Sequence, residues 1–233
     1  MSTEPTSSTF TVAAILFDID GTLVDSTPAV NRAWRSWAAR HGIDADAVLA
    51  VCHGRRSADT IAEFLPAEDV AAEAEELERV EAADVDGVVA LPGAAELLAA
   101  LPESAWAAVT SGSRALMRAR LAAAGLPVPE VLVAAEDVTE GKPDPQGYRA
   151  AARRLGVDPA DCLVLEDAPA GLGAGRAAGG RVLAVATSHP RAQLEALDGE
   201  MAADAVLDGL TDLTVEVRGD RLAVTVAGVP LES

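Results

Sequence analysis

The sequence predicts an α/β protein: a Rossmann-like parallel sheet core, a helical segment inserted after its first strand, and a β-hairpin near the C-terminus. Three observations predict it. Apolar runs of strand length recur along the chain and end in polar residues. Helical stretches separate the later runs, the alternation that builds a parallel sheet. One long helical interval breaks that rhythm directly after the first run.

Met1–Thr9 is polar and lacks the basic-then-apolar order of a secretory signal, so it reads as a short disordered lead-in. Val12–Asp18 follows as an apolar run fit for a buried parallel strand. Further strands are expected at Ala105–Thr110, Val131–Ala135, Cys162–Glu166 and Val182–Ala186. Helices are expected at Ala115–Ala124, Gln146–Leu155 and Ala170–Ala178. Ligands of open α/β sheets bind outside the carboxyl ends of the strands. The polar groups found there are Asp18 and Asp20, then Thr110 and Ser111, then Glu166 and Asp167.

Over eighty residues separate Asp20 from the strand at Ala105, whereas a whole βαβ unit needs roughly thirty. Thr27 and Pro28 read as an N-cap and first helical position, and the pattern stays helical to about Val89. Leu91-Pro92-Gly93 then marks the return. The domain expectation is therefore a core of residues 1–26 and 91–233, with residues 27–90 as a helical cap on the rim of the site, placed to act as a lid. Trp34 and Trp37, with Val30, read as that cap's own core. Leu213–Val217 and Leu222–Val226 flank Arg218-Gly219-Asp220-Arg221 as a hairpin. The Arg-Gly-Asp triplet reads as turn chemistry, not as an adhesion motif.

Half the residues are hydrophobic and only 3% are aromatic, so the core must be built from Ala, Val and Leu. No apolar run approaches the length that spans a bilayer. Cys52 and Cys162 are too few for a disulfide framework and read as buried thiols, which places the chain in the cytoplasm. The net charge of −19 repels nucleic acid and anionic membranes, so neither is expected as a partner. It also repels a phosphorylated metabolite, so an anion site here must carry its own positive charge. No assembly motif is evident, and a monomer is the expectation.

Two carboxylates one residue apart at a strand end, Asp18 and Asp20, are unusual core material, because buried Asp is rare unless paired or bound to metal. Glu166 and Asp167 add two more acids at another strand end, and Lys142 offers a cation from a loop between. Taken alone, Lys142 reads as an exposed turn residue and Ser111 as a helix-capping hydroxyl. A capped helix N-terminus can also hold phosphate.

Four segments together carry a resemblance. Phe17-Asp18-Ile19-Asp20-Gly21-Thr22, Thr110-Ser111-Gly112, Gly141-Lys142-Pro143-Asp144-Pro145 and Leu165-Glu166-Asp167-Ala168-Pro169 resemble, in order, the signatures of the haloacid dehalogenase (HAD) superfamily. The inserted cap resembles its β-phosphoglucomutase-like subgroup, and His53-Gly54-Arg55-Arg56 is similar to phosphatases of glycerol phosphate or 2-deoxyglucose 6-phosphate. The resemblance implies a phosphatase of a small sugar or polyol phosphate. Asp18 would attack phosphorus and form an aspartyl phosphate. Asp20 would protonate the leaving alcohol and then take a proton from water. Ser111, Gly112 and Lys142 would hold the phosphoryl oxygens. Mg2+ would sit on Asp18, the Asp20 carbonyl and Asp167, with Glu166 touching the ion or lying one layer behind it.

Four carboxylates against Mg2+ and Lys142 leave one negative charge to meet an incoming dianion. Each unit pair at about 4 Å costs on the order of 4 kcal/mol at an effective dielectric of about 20. One carboxyl is therefore expected to carry a proton, and Asp20 is the natural carrier. In the cap, Arg55 and Arg56 are the candidates for touching the rest of the substrate, while His53 reads as a packed or exposed histidine.

Other motifs fail on spacing. Gly171-Leu172-Gly173-Ala174-Gly175 has Arg176 where a dinucleotide fingerprint needs glycine, and close helix packing explains those glycines. Gly141-Lys142 lacks the residues of a Walker loop. A dehalogenase needs neither the metal nor Asp20. A phosphomutase of the β-phosphoglucomutase type is the alternative, but those enzymes carry His where this chain has Val30. A non-catalytic sugar-phosphate sensor has no need of an intact nucleophile.

Overall fold

The computed structural model describes residues 7–227. The chain opens with β1 (Ser7–Val12) and β2 (Ala14–Phe17), then forms the two-residue β3 (Val24–Asp25). Four helices follow: α1 (Thr27–His41), α2 (Ala45–Leu49), α3 (Ser57–Ile61) and α4 (Ala67–Ala83). β4 (Val89–Ala90) and α5 (Ala94–Ala99) lead into β5 (Trp106–Val109), α6 (Arg114–Ala123) and β6 (Leu132–Val133). α7 (Gln146–Leu155), β7 (Cys162–Glu166), α8 (Pro169–Ala178), β8 (Arg181–Val185), α9 (Arg191–Glu195) and β9 (Ala205–Leu207) complete the alternating part. The chain closes with β10 (Leu213–Arg218) and β11 (Arg221–Ala227).

Six strands pair in the order β6-β5-β2-β7-β8-β9, all parallel. The chain grows from β2 outward through β5 and β6, then crosses back to β7 and grows the other way. β2 and β7 therefore flank the switch point, where such sheets open a crevice. Side chains of period two serve both faces. Ile15 and Phe17 enter one apolar cluster and Ala14 and Leu16 the other, and β7 divides Leu163 and Leu165 from Cys162 and Val164 in the same way. Both faces are covered, which explains why these strands read as unbroken apolar runs.

The first expected strand needs correction. Val12–Asp18 is two strands, broken at Ala13, whose amide donates to the Asp161 carbonyl at 2.7 Å. Of the expected lead-in, residues 1–6 lie outside the described residues, while Ser7–Thr9 is strand, with Ser7 opposite Ala227. The C-terminal hairpin is present, and β11 pairs with both β10 and β1, giving an antiparallel sheet of order β1-β11-β10. Its inward residues Phe10, Val12, Val224 and Val226 join the cluster of Ile15 and Phe17, so the sheet covers one face of the core. β9 was not foreseen, because Ala205–Leu207 is too short to stand out as an apolar run.

The insertion starts and ends at a narrow neck where β3 and β4 pair antiparallel. Its helices bury a cluster of their own that includes Trp34, Trp37, Val48, Ile61 and Leu77. The two tryptophans meet edge to face with centroids 5.5 Å apart. Among the described residues no helix is long and apolar enough to cross a membrane. Both thiols are free and buried, and burial pushes each up to about 12.

Candidate active site

Strand ends and two helices supply the site. Asp18 follows β2 and extends its ladder by donating its amide to the Leu165 carbonyl at 3.0 Å. The chain then folds back on itself, with Gly21 in the left-handed region at φ 82° and its amide on the Val24 carbonyl at 2.8 Å. Only glycine fits there, since a Cβ would strike the carboxylate of Asp167 as well as adopt a strained backbone.

Lys142 organises the floor. Its side chain is 6% exposed, not on a free surface turn. Its ammonium donates to Asp18, to Glu166 Oε1 at 2.6 Å and to the Val109 carbonyl at 3.2 Å. Burial alone would lower its pKa, but Asp18 and Glu166 outweigh burial and hold it above the usual lysine range. Tyr148, buried beneath, donates its hydroxyl to the same Glu166 oxygen at 2.7 Å. The other Glu166 oxygen accepts from the Asp167 amide at 3.2 Å. Close packing fixes this acid further, because a Cβ at Gly171 would run into its carboxylate.

Asp18, Glu166 and Asp167 offer oxygens that all lie within 4.8 Å of one another. Burial pushes Asp18 well above the usual carboxylate range, with Lys142 opposing and both neighbouring acids adding to the rise. Burial and Glu166 push Asp167 up to about 7. Three buried acids against one ammonium form a site short of positive charge. Its donors are all hard oxygens, so the residues present fit a small divalent cation such as Mg2+.

The phosphoryl-binding candidates after β5 also converge. Ser111 Oγ donates to the Gly54 carbonyl of the insertion at 2.9 Å, and the Gly112 amide donates to Thr110 Oγ1 at 3.1 Å. Ser113 caps α6, accepting from the Leu116 amide at 3.4 Å. A cavity of about 70 Å³ lies between core and insertion, with Asp18, Asp20 and Asp167 at its base and Val30, Trp34 and His53 on its upper side. Burial and the nearby His189 hold His53 below the usual histidine range.

The two cap arginines separate. Arg55 lines the cavity, with its guanidinium on Glu63 Oε1 at 2.5 Å. Arg56 lies outside it, donating to the carbonyls of Thr139 at 2.9 Å and Val138 at 3.1 Å. It ties the insertion to the loop that leads to Lys142.

Residues 12–179 match the haloacid dehalogenase-like hydrolases. The chain belongs to that family. It is 47% identical over 205 residues to hexitol phosphatase A of Escherichia coli, covering 86% of this chain and 92% of that one. Against glycerol-1-phosphate phosphohydrolase 2 of Saccharomyces cerevisiae it is 37% identical, covering 81% and 79%. The structure is similar to CbbY of Rhodobacter sphaeroides in complex with phosphate, with a TM-score of 0.71, 27% identity, and coverage of 86% and 96%.

Within this HAD-like hydrolase fold, sequence reasoning missed three site residues. Arg120, 4% exposed at its side chain, donates to Asp20 Oδ2 at 2.6 Å and to Glu81 Oε1 at 2.9 Å. The charge count that gave Asp20 a proton did not include this cation. Glu81 is buried in the last turn of α4, and burial pushes it up to about 7 despite Arg120. Signals existed for both. Arg120 falls on the buried stripe of Leu116, Met117 and Leu121, and Glu81 on that of Ala74 and Leu77. Charged residues at apolar-stripe positions call for a partner. Tyr148, the third, is the chain's one tyrosine.

Proposed function

We propose that this HAD-like hydrolase is a magnesium-dependent phosphatase of small sugar or polyol phosphate monoesters. The observation that carries the reading is the meeting of Asp18, Lys142, Glu166 and Asp167 at the adjoining ends of β2 and β7. The names of its relatives, a hexitol phosphatase and a glycerol-1-phosphate phosphohydrolase, support the substrate class.

Asp18 attacks phosphorus, the bond from phosphorus to the alcohol oxygen breaks, and an aspartyl phosphate forms. Asp20 gives its proton to the departing oxygen, then takes one from the water that hydrolyses the intermediate. Lys142 holds the phosphoryl oxygens, joined by Ser111 and the Gly112 amide as they exchange the Gly54 carbonyl and Thr110 Oγ1 for the ligand. The carboxylates of Asp18 and Asp167, with the Asp20 carbonyl, would hold Mg2+, which offsets the negative charge gathered on the phosphoryl group. Glu166 is already engaged by Lys142, Tyr148 and a backbone amide, so its part is to orient Lys142 from behind.

Residues 27–90 form the lid. Ser111 and Arg56 link core to insertion, and the lid brings Val30, Trp34, His53 and Arg55 to the alcohol portion of the substrate. Dry surroundings strengthen every charge interaction inside. The reading includes a cytoplasmic, monomeric enzyme.

Release of inorganic phosphate from a panel of polyol, hexose and pentose phosphates, with Mg2+ and with EDTA, tests the proposal. Hydrolysis that EDTA and Asp18→Asn both abolish is the expected result. Failure to hydrolyse any ester, alongside bisphosphate-dependent isomerisation of a sugar phosphate, would replace it with the phosphomutase reading.

A further inference from the structure

Arg120 is more deeply buried than most arginines ever are, and nothing in the scheme above uses it. It stands on α6 of the core, Asp20 on the loop after β2, and Glu81 on α4 of the insertion. Its two terminal nitrogens divide between those acids, one each. One oxygen of Asp20 is thereby tied down. The other, Oδ1, is buried with no partner among the described residues. One oxygen is thus fixed in place and the second is left for the ligand.

A buried ion pair placed for stability alone tends to saturate its donors. This one does not, since Arg120 Nε also lacks a partner among the described residues. Glu81 draws the guanidinium toward α4, so the position of the Asp20 carboxylate depends on a helix of the insertion. Glu78, one turn earlier on α4, accepts from the Ser113 amide at 3.2 Å and seats that helix against the start of α6. Seating of α4 and aiming of Asp20 thus share one side chain.

We propose that Arg120, held by Glu81, is a positioning residue that aims Asp20 at the leaving oxygen of the substrate when α4 is seated on the core. The inference rests on the phosphatase reading and deepens it. The step concerned is the first: the bond from Asp18 to phosphorus forms, the bond from phosphorus to the ester oxygen breaks, and the Asp20 proton passes to that oxygen.

The need for the proton depends on the leaving group, and this supplies the test. A nitrophenolate departs without protonation, whereas the alkoxide of a polyol does not. Release of the first equivalent of alcohol is measured in single turnovers for glycerol phosphate and for p-nitrophenyl phosphate, using wild type, Arg120→Met, Arg120→Lys and Glu81→Gln. The expected result is that Arg120→Met slows the glycerol ester about tenfold to a hundredfold more than the nitrophenyl ester, a part of what general acid catalysis supplies. KM should change little. Glu81→Gln, whose amide still accepts a hydrogen bond, should show the same selectivity at smaller size. Arg120→Lys and Glu81→Gln carry the test if Arg120→Met does not fold. Equal slowing of both esters, or no slowing of either, overturns the inference in favour of a purely structural ion pair. A wild type inert toward every ester removes the phosphatase reading instead, and the inference with it.

Discussion

Two ionic clusters meet at the cavity and are built by different rules. The floor joins Asp18, Glu166, Asp167 and Lys142 at neighbouring strand ends. The bridge joins Asp20, Arg120 and Glu81 across a loop and two helices. In the floor three acids lie close enough to share one ligand, and burial pushes Asp18 up and Asp167 up to about 7, as it does Glu81 in the bridge. In the bridge a forked guanidinium separates its two acids and satisfies one oxygen of each. On the proposed reading the floor takes a cation and a phosphoryl group, and the bridge holds a direction.

The largest expected effects set the chemistry of Asp18 against that of Asp20. Asp18→Asn removes the proposed nucleophile and should lower phosphate release by about 10⁴-fold or more. Asp20→Asn leaves Asp18 and the floor carboxylates in place, and should cost about 10²–10⁴-fold, the range of a positioned acid and base. Rapid-quench labelling separates the two. Substrate labelled in the phosphoryl group should mark the Asp20→Asn protein covalently, and should not mark Asp18→Asn. Equal and complete loss without labelling in either would mean that the clusters do not divide the work.

That division explains how much of the molecule was legible beforehand. The floor was readable because each acid ends an apolar run, and a parallel sheet brings strand ends together whatever the length of chain between them. Cys162–Glu166 and Gln146–Leu155 have the boundaries that the pattern implies, for the same local reason. The bridge was not readable, because a salt link between two helices depends on their docking. Its only trace is two charged residues, Arg120 and Glu81, at apolar-stripe positions. β1 was hidden for another reason: Ser7–Thr9 is polar on its exposed side and pairs with Thr225–Ala227, over two hundred residues away. A strand completed by so distant a partner leaves little local signal. Arg56 was singled out by its neighbours in sequence, and its place was decided by carbonyls at Val138 and Thr139 that no pattern marks.

Lys142 offers a sharper contrast between the clusters. Lys142→Met deletes the ammonium and leaves Asp18 and Glu166 buried beside each other. Removing one partner of a buried ion pair costs about 3–5 kcal/mol. Urea unfolding in EDTA near neutral pH should show a loss of that order, and Mg2+ should recover part of it by supplying charge at the same place. Arg120→Met strands two acids as well, but neither carboxylate belongs to the close group of Asp18, Glu166 and Asp167, so Mg2+ should recover less. Equal recovery in both variants would contradict the separation of floor and bridge.

The smallest expected effect is a pH dependence at Asp167. Burial, reinforced by Glu166, raises this carboxyl from 3.8 to about 7 in the folded protein, with the Ser188 hydrogen bond and Lys142 pulling the other way. Between those values the folded chain keeps a proton that the unfolded chain has released, so rising pH favours the unfolded state. The penalty is absent below about 4, grows through the window and is complete above about 7. Asp167→Asn is neutral at every pH and escapes it. In EDTA the variant's Tm should therefore gain steadily on the wild type as pH rises through that window, then hold level. Mg2+ should erase the trend in the wild type, because the ion takes the place of the proton, and its binding should weaken as pH falls below 7. A difference in Tm that stayed constant with pH would show that the floor's excess of negative charge is relieved by some other means than a proton on Asp167.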